Sequence, residues 1–353
     1  MKVYFVGNGY DGCYYVRCLQ PLIHNGWDGT KTSLASQRAT PEQMFQGAMN
    51  ADVVVFQRPS DEMRVQVVDL LKQAGKIVVF DNDDTYKPNS GVPYQMAHAE
   101  YIEKIDKNLM DFVKKADLVT TTTEFLAEEY REHNKNVYVL PNCIDPDDWD
   151  EPLKNETDKV RIGLVGSVTL NGDYDIIVPL LKQLSERKDV QLVVFGLPPK
   201  GDAFKVMQES HKKEIEFWNS LNIDWQPLVG MNDYFETLNE LRLDIMLIPR
   251  AENYFNKCKS NLKFLEAAML EIPVIASSFS DGNSPYDKDI DGTNGLLCKT
   301  LDDWQVAIDT LVNNKEIRQE MGKNAKEYVL KNYDIKSHAN NWKKLYESYF
   351  NKK

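Results

Sequence analysis

Lys259, Lys263 and Glu266 stand close together in a chain stretch that joins an apolar, strand-like run ending at Ile248 to a helix-patterned run over Asn261 to Leu270. A polar loop leading from the carboxyl end of a strand into a helix is where an open α/β sheet binds ligands. Ser260 or Asn261 can cap that helix, which leaves its first amides pointing outward, and such a terminus attracts phosphate. Lys259 precedes the helix and Lys263 falls in its first turn, so both ammonium groups could meet a diphosphate held on those amides. Glu266 follows one turn later on the same face, where a carboxylate can accept hydrogen bonds from the two hydroxyls of a ribose. The bland alternative is a surface ion pair between Lys263 and Glu266. Arg250, at the same strand end, is open between a phosphate contact and a structural ion pair.

Further candidates lie in the first half. Gly7-Asn8-Gly9-Tyr10-Asp11-Gly12 follows the first strand, and its glycines allow backbone to come close to a ligand. Its spacing is not that of the dinucleotide fingerprint, which argues against NAD. Asp81-Asn82-Asp83-Asp84 follows another strand. Its D-x-D spacing could hold a divalent ion, but Asp83 or Asp84 reads better as a contact or base for an acceptor hydroxyl, with loop capping as the alternative. His98 is a lone histidine near a helix start and reads as structural.

The elements that must position these groups alternate. Runs rich in Val and Ile predict strands at Val3–Val6, Asp52–Phe56, Lys76–Phe80, Leu118–Thr121 and Val137–Leu140, with helices over Asp61–Gln73, Tyr101–Lys115 and Glu124–His133 between them. The acidic, Pro-containing stretch Pro141 to Pro152 then interrupts the pattern, which restarts at Val160–Val165. Strands follow at Val190–Phe195, Ile223–Pro227, Leu243–Ile248 and Pro273–Ala276, and helices at Tyr174–Ser185, Asp233–Leu241 and Asn261–Leu270. Trp304 to Phe350 reads as three amphipathic helices. In the last of them Trp342, Leu345, Tyr346 and Tyr349 share a packing face, which could return to the first domain. The expected architecture is α/β, two Rossmann-like doubly wound domains over residues 1–155 and 156–335 with a ligand cleft between them, and 336–353 packing on the first.

The 353 residues suit two domains. A formal charge of −12 argues against binding nucleic acid through a general basic surface. The basic excess between Lys315 and Lys353 reads as a solvated helical face. Five cysteines, Cys13, Cys18, Cys143, Cys258 and Cys298, show no metal-ligand spacing, which points to a reducing compartment and no structural zinc. No secretory signal pattern opens the chain and no apolar run approaches the roughly 20 residues of a membrane span. A cytoplasmic protein is expected. Peripheral membrane contact stays open, although no helix is strongly basic on one face. The oligomeric state is left open.

One resemblance gathers these features. Lys259-Ser-Asn-Leu-Lys-Phe-Leu-Glu-Ala-Ala-Met269, Ile272-Pro-Val-Ile-Ala-Ser277, Ser284-Pro-Tyr286, Asp291-Gly-Thr-Asn-Gly-Leu-Leu297 and Arg318-Gln-Glu-Met-Gly-Lys-Asn-Ala325 resemble the C-terminal domain of family 4 glycosyltransferases of the GT-B fold, in order and spacing. The resemblance covers roughly Val160 to Tyr333. It implies a nucleotide sugar, UDP-, GDP- or dTDP-linked, bound by the second domain, a glycan or other hydroxyl acceptor bound by the first, transfer with retention, and neither a bound cofactor nor a metal. Glu266 matches the second glutamate of the family's E-x7-E motif, the ribose contact, and Cys258 falls on the first, where it is open between a donor-site residue and a buried loop thiol, the reading preferred here. Relatives grip the diphosphate with an Arg and a Lys after the strand Arg161 to Ser167, but Val168 to Asp175 contains no basic residue. That leaves Lys259 and Lys263 as the phosphate candidates, with Gly166 and Ser167 approaching the donor through backbone. The loop Gly7 to Tyr10 would line the reaction centre. Three rival readings are a nucleotide-sugar 2-epimerase, a bacteriophage-type enzyme glycosylating hydroxymethylated DNA, and a noncatalytic nucleotide-sugar sensor.

Overall fold

The computed structural model describes residues 1–7, 9–27, 40–91, 99–166, 172–196 and 212–352. Two parallel sheets carry the chain. The first contains β1 (Val3–Val6), β2 (Val53–Gln57), β3 (Ile77–Asn82), β4 (Leu118–Thr121) and β5 (Val137–Val139), in the spatial order β1-β2-β3-β4-β5. β1 to β4 are buried along their whole length, as runs such as Val-Val-Val-Phe require when both faces of a sheet are covered, whereas the edge strand β5 is buried only at Val137.

Right-handed crossovers between strands laid down in sequence order put their helices on one face. Helices Glu62–Gln73, Ala99–Lys115 and Glu124–Arg131 accordingly cover the side presented by Val54, Phe56, Val78 and Phe80. The opposite side, presented by Val3, Phe5, Val53, Val55 and Val79, is covered from the two ends of the chain. The N-terminal helical segment contributes Tyr14, Cys18, Leu19 and Leu22. The C-terminal helix Ile335–Phe350 contributes Ile335, Ala339, Trp342 and Tyr346, with Tyr346 stacked on Trp27 at 5.7 Å. The aromatic stripe of the last helix is therefore core of the first domain.

The second sheet contains β6 (Val160–Val165), β7 (Val190–Phe195), β8 (Ile223–Gln226), β9 (Ile245–Ile248), β10 (Val274–Ser277) and β11 (Leu296–Cys298), in the order β11-β10-β9-β6-β7-β8. Strand order reverses between β6 and β9, so their carboxyl ends flank the crevice where such sheets bind ligands. β9 starts at Ile245 rather than Leu243. β11 was not expected from sequence: Leu-Leu-Cys lacks the β-branched residues that marked the equally short β5.

The chain crosses between the domains at Ile144 and again at Tyr333 to Ile335. The crossings lie side by side: the Ile144 amide donates to the Tyr333 carbonyl and the Ile335 amide to the Ile144 carbonyl, both at 2.9 Å. Among the described residues, no helix is long and apolar enough to cross a membrane.

Candidate active site

A cleft of about 440 Å³ opens between the domains. The second domain lines it with Gly166, Phe195, Tyr234, Arg250, Lys259, Lys263 and Glu266, and the first with Tyr10, Asp11 and Cys13. The sequence thus places Lys259, Lys263 and Glu266 together on one wall, at the start of the helix Leu262–Met269.

Lys263 and Glu266 form a three-membered cluster with Tyr234, which projects from the helix Met231–Glu240. The Tyr234 hydroxyl donates to Glu266 Oε2 at 2.8 Å and accepts from Lys263 Nζ at 2.7 Å, while Lys263 Nζ also reaches Glu266 Oε2 at 2.8 Å. Burial, helped by the Glu266 charge, pushes the Tyr234 hydroxyl well above its ordinary value, so it stays a proton donor. Its ring stacks on Phe195 at 5.8 Å, which fixes the hydroxyl over the carboxylate. Tyr234 and Phe195 carry no motif, and sequence reasoning passed over them.

Asn261 occupies the cap position of the helix, but its side chain makes no capping bond. Its amide donates instead to the buried Asp289 at 2.8 Å. The Leu262 and Lys263 residues of the first turn line the cleft, and the first amides of a helix have no partner within it. Ser260 faces the first domain, its hydroxyl accepting from Asn142 Nδ2 at 2.9 Å. Neither side chain of the capping pair is spent on the helix end.

Arg250 is an ion pair as well as a cleft residue. Its NH1 lies 2.9 Å from Asp173, which also accepts from the Ala251 amide and Asn256 Nδ2. Gly166 lines the cleft, and the neighbouring strand end packs closely on it: Gly196 has φ +90°, and a Cβ there would sit 2.2 Å from the Gly166 carbonyl oxygen. Ser167 lies outside the described residues, as do Asn8 and His98.

Of the two readings of Cys258, the structure fits the buried thiol and not the donor-site residue. Cys258 does not line the cleft. Its side chain is fully buried in the core of the first domain, into which the short helix Tyr254–Cys258 is wedged. The Phe255 amide donates to the Ser90 carbonyl at 2.7 Å and the Thr123 hydroxyl to the Cys258 carbonyl at 3.2 Å. Burial pushes the thiol well up, so it stays neutral. An ionised glutamate could not occupy this site without desolvation.

On the first domain, Gly7 is packed under the Tyr14 ring rather than against the cleft, a Cβ there lying 2.3 Å from the ring. Tyr10 does line the cleft, and Gly9 has open space around it. The following helical segment widens into a π turn at Tyr15–Leu19. Arg17, inside that turn, makes a buried two-pronged pair with Asp81, at 2.7 and 3.1 Å. Asp81 is therefore structural, and the D-x-D reading loses its first carboxylate. Among the described residues no group of three or more His, Cys, Asp or Glu is placed to hold a metal ion.

Asp83 and Asp84 share one cation. Arg58 Nε lies 2.7 Å from Asp83 and its NH2 2.7 Å from Asp84, with Cys13 Sγ 3.2 Å from the same NH2. Burial would raise the Asp83 carboxyl, but Arg58 holds it below its ordinary value, which makes it a poor proton acceptor at neutral pH. Arg58 directly follows β2, the same kind of strand end that drew attention to Asp83. From the second domain, Lys259 Nζ meets the second oxygen of Asp84 at 2.5 Å and lies over the Phe255 ring.

The family model for glycosyl transferases group 1 matches residues 145–328, half of the chain and the whole donor wall. The chain belongs to the group 1 glycosyl transferases. Structures of similar fold agree. Sucrose-phosphate synthase from Thermosynechococcus elongatus superposes with a TM-score of 0.70 at 15% identity, covering 100% of both chains. HepE from Anabaena, in complex with UDP, gives 0.68 at 13% identity, over 99% of this chain and 100% of that one. TarM from S. aureus, in complex with fondaparinux, α-GlcNAc-glycerol and UDP, gives 0.55 at 15%, over 86% and 59%. No curated protein sequence matches at a significant level. This group 1 glycosyltransferase thus has the two-domain GT-B fold.

Proposed function

We propose that this glycosyltransferase moves a sugar from a nucleotide-sugar donor to an acceptor hydroxyl with retention of configuration, in the synthesis of a glycan or polysaccharide. The observation that carries the reading is the cluster of Lys263, Glu266 and Tyr234 at the start of the cleft-lining helix. Glu266 is oriented by Tyr234 and offers its other oxygen to the ribose hydroxyls. Lys263, Lys259 and the first helix amides stabilise the departing diphosphate, and this electrostatic stabilisation is the main contribution to rate. The glycosidic bond to the diphosphate breaks while the acceptor oxygen bonds to the same face of the sugar, and the hydroxyl proton passes to the departing phosphate oxygen.

Asp84, rather than Asp83, is the carboxylate assigned to the acceptor hydroxyl, because one of its oxygens faces the cleft cation. Asp83 holds Arg58 in place. HepE has been seen with UDP and with UDP-glucose, which supports a uridine donor among the UDP, GDP and dTDP sugars. The five unpaired cysteines support a cytoplasmic setting.

The test is a thermal-shift series with UDP, GDP, dTDP and their sugars. A ligand at 100 times its Kd stabilises the native state by about 2.7 kcal/mol. A rise in melting temperature with one nucleotide series, absent in Glu266→Ala, is expected. No rise with any of them would reject the donor site.

A further inference from the structure

Lys259 does not wait free for a phosphate. Its backbone is fixed against the first domain by the wedge that precedes it and by the Asn142 to Ser260 hydrogen bond that follows it. From there its ammonium reaches Asp84 Oδ1 of the first domain, while Asp84 Oδ2 is held by Arg58 NH2 at 2.7 Å. Arg58 adopts φ +49°, a left-handed backbone conformation that a non-glycine residue keeps only where its surroundings impose it. Two cations and two carboxylates, Lys259, Arg58, Asp83 and Asp84, are thereby linked in one chain of ion pairs.

We propose that Asp84 is a built-in competitor for the donor diphosphate, and that donor binding exchanges the partners of Lys259. This rests on the donor-site reading above. The arrangement suits an exchange for two reasons. A diphosphate carries more charge than one carboxylate and so outbids Asp84 for the ammonium. When Lys259 leaves, Asp84 is not stranded, because its other oxygen keeps the hydrogen bond from Arg58, which it shares with Asp83; a carboxylate losing its sole partner would resist release. The exchange vacates Asp84 Oδ1, which has no other hydrogen-bond partner among the described residues. That oxygen is then open to an acceptor hydroxyl. The acceptor contact is masked in the free enzyme and appears once the donor diphosphate has taken Lys259.

The sign of one affinity change separates this from a structural role. With UDP as probe, or GDP or dTDP if it binds more tightly, Kd is measured by titration calorimetry for the full chain, Asp84→Asn, Lys259→Met and the double variant. The exchange predicts that Asp84→Asn binds about 3- to 10-fold more tightly, the scale of pairwise couplings between contacting charges. Lys259→Met binds about tenfold more weakly, and Asp84→Asn has no effect in the Lys259→Met background. A purely structural Asp84 would weaken binding when replaced. Unchanged or weaker binding in a folded Asp84→Asn, or tightening that persists without Lys259, overturns the exchange. Asp84→Ser repeats the comparison if Asp84→Asn does not melt cooperatively. If the unaltered chain binds none of the three nucleotides, the donor-site reading fails and the exchange with it; binding with a flat cycle removes the exchange alone.

Discussion

Lys263 and Glu266 sit three residues apart on one helix, Nζ to Oε2 at 2.8 Å, and both contact the hydroxyl of Tyr234. An i,i+3 pair on an exposed helix contributes little. Here Glu266 is buried on the wall of a cleft, and a third residue fixes the geometry of both. The pair therefore holds a carboxylate and an ammonium in place for two different parts of one ligand.

Separating those parts is the first prediction. Glu266→Gln keeps the shape and removes the charge, and should raise KM for the donor about tenfold with a smaller change in kcat. Lys263→Ala removes stabilisation of the leaving group and should lower kcat about 100- to 1000-fold, the range for losing one such electrostatic donor. Steady-state kinetics with the donor identified by thermal shift read both. Near-normal kinetics in both variants would remove the site assignment.

Cys258 supplies the second prediction. Its thiol lies in the first-domain core, with the Glu129 charge among the causes that raise it. Placing a glutamate there buries a second carboxyl near the first. Cys258→Glu should lose several kcal/mol of stability in urea unfolding and gain no activity. An active, undiminished variant would mean that the position reaches the donor sugar after all.

How far the sequence leads is visible in this same region. The grouping of Lys259, Lys263 and Glu266 on one cleft wall was legible because strand end, loop and helix start are local features with a local pattern. The destination of Cys258 was not, because the wedge Tyr254–Cys258 is placed by contacts with Ser90 and Thr123, far away in the chain. Tyr234 and Arg58 were missed for the same reason: each acts through a partner that only the tertiary structure brings near. Most strands stood out as Val- and Ile-rich apolar runs, whereas Leu296–Cys298 has no β-branched residue to mark it. The aromatic stripe around Trp342 was readable as core, but which core it enters follows from the bare face of the first sheet.

That bare face motivates a third prediction. Trp342 is buried between the first sheet and Arg17, whose guanidinium lies 5.8 Å from the ring centroid. Trp342→Ala should cost about 3–5 kcal/mol, as for other large aromatic deletions. In urea unfolding followed by hydrogen exchange, the loss of protection should fall on β1 to β4 and leave β6 to β10 close to the unaltered chain. Equal loss in both sheets would contradict the assignment of the helix to the first domain.

Acid should expose the Arg58 to Asp83 pair. Arg58 holds the folded-state Asp83 carboxyl below its unfolded value of about 3.9. The pair's contribution is therefore present above pH about 4 and is lost as pH falls through the lower, folded-state value. Urea midpoints measured between about pH 6 and 2.5 should drop less steeply at the acid end in Asp83→Asn than in the unaltered chain. Parallel curves would show that the pair does not stabilise the fold.

The most direct test is a crystal structure of the full chain with the nucleoside diphosphate that raises its melting temperature most. Ribose hydroxyls on Glu266, and a diphosphate over the start of the helix Leu262–Met269 within hydrogen-bonding distance of Lys259 and Lys263, are the expected result. A nucleotide ordered elsewhere, with Lys263 still on Glu266 and Lys259 still on Asp84, would contradict the account.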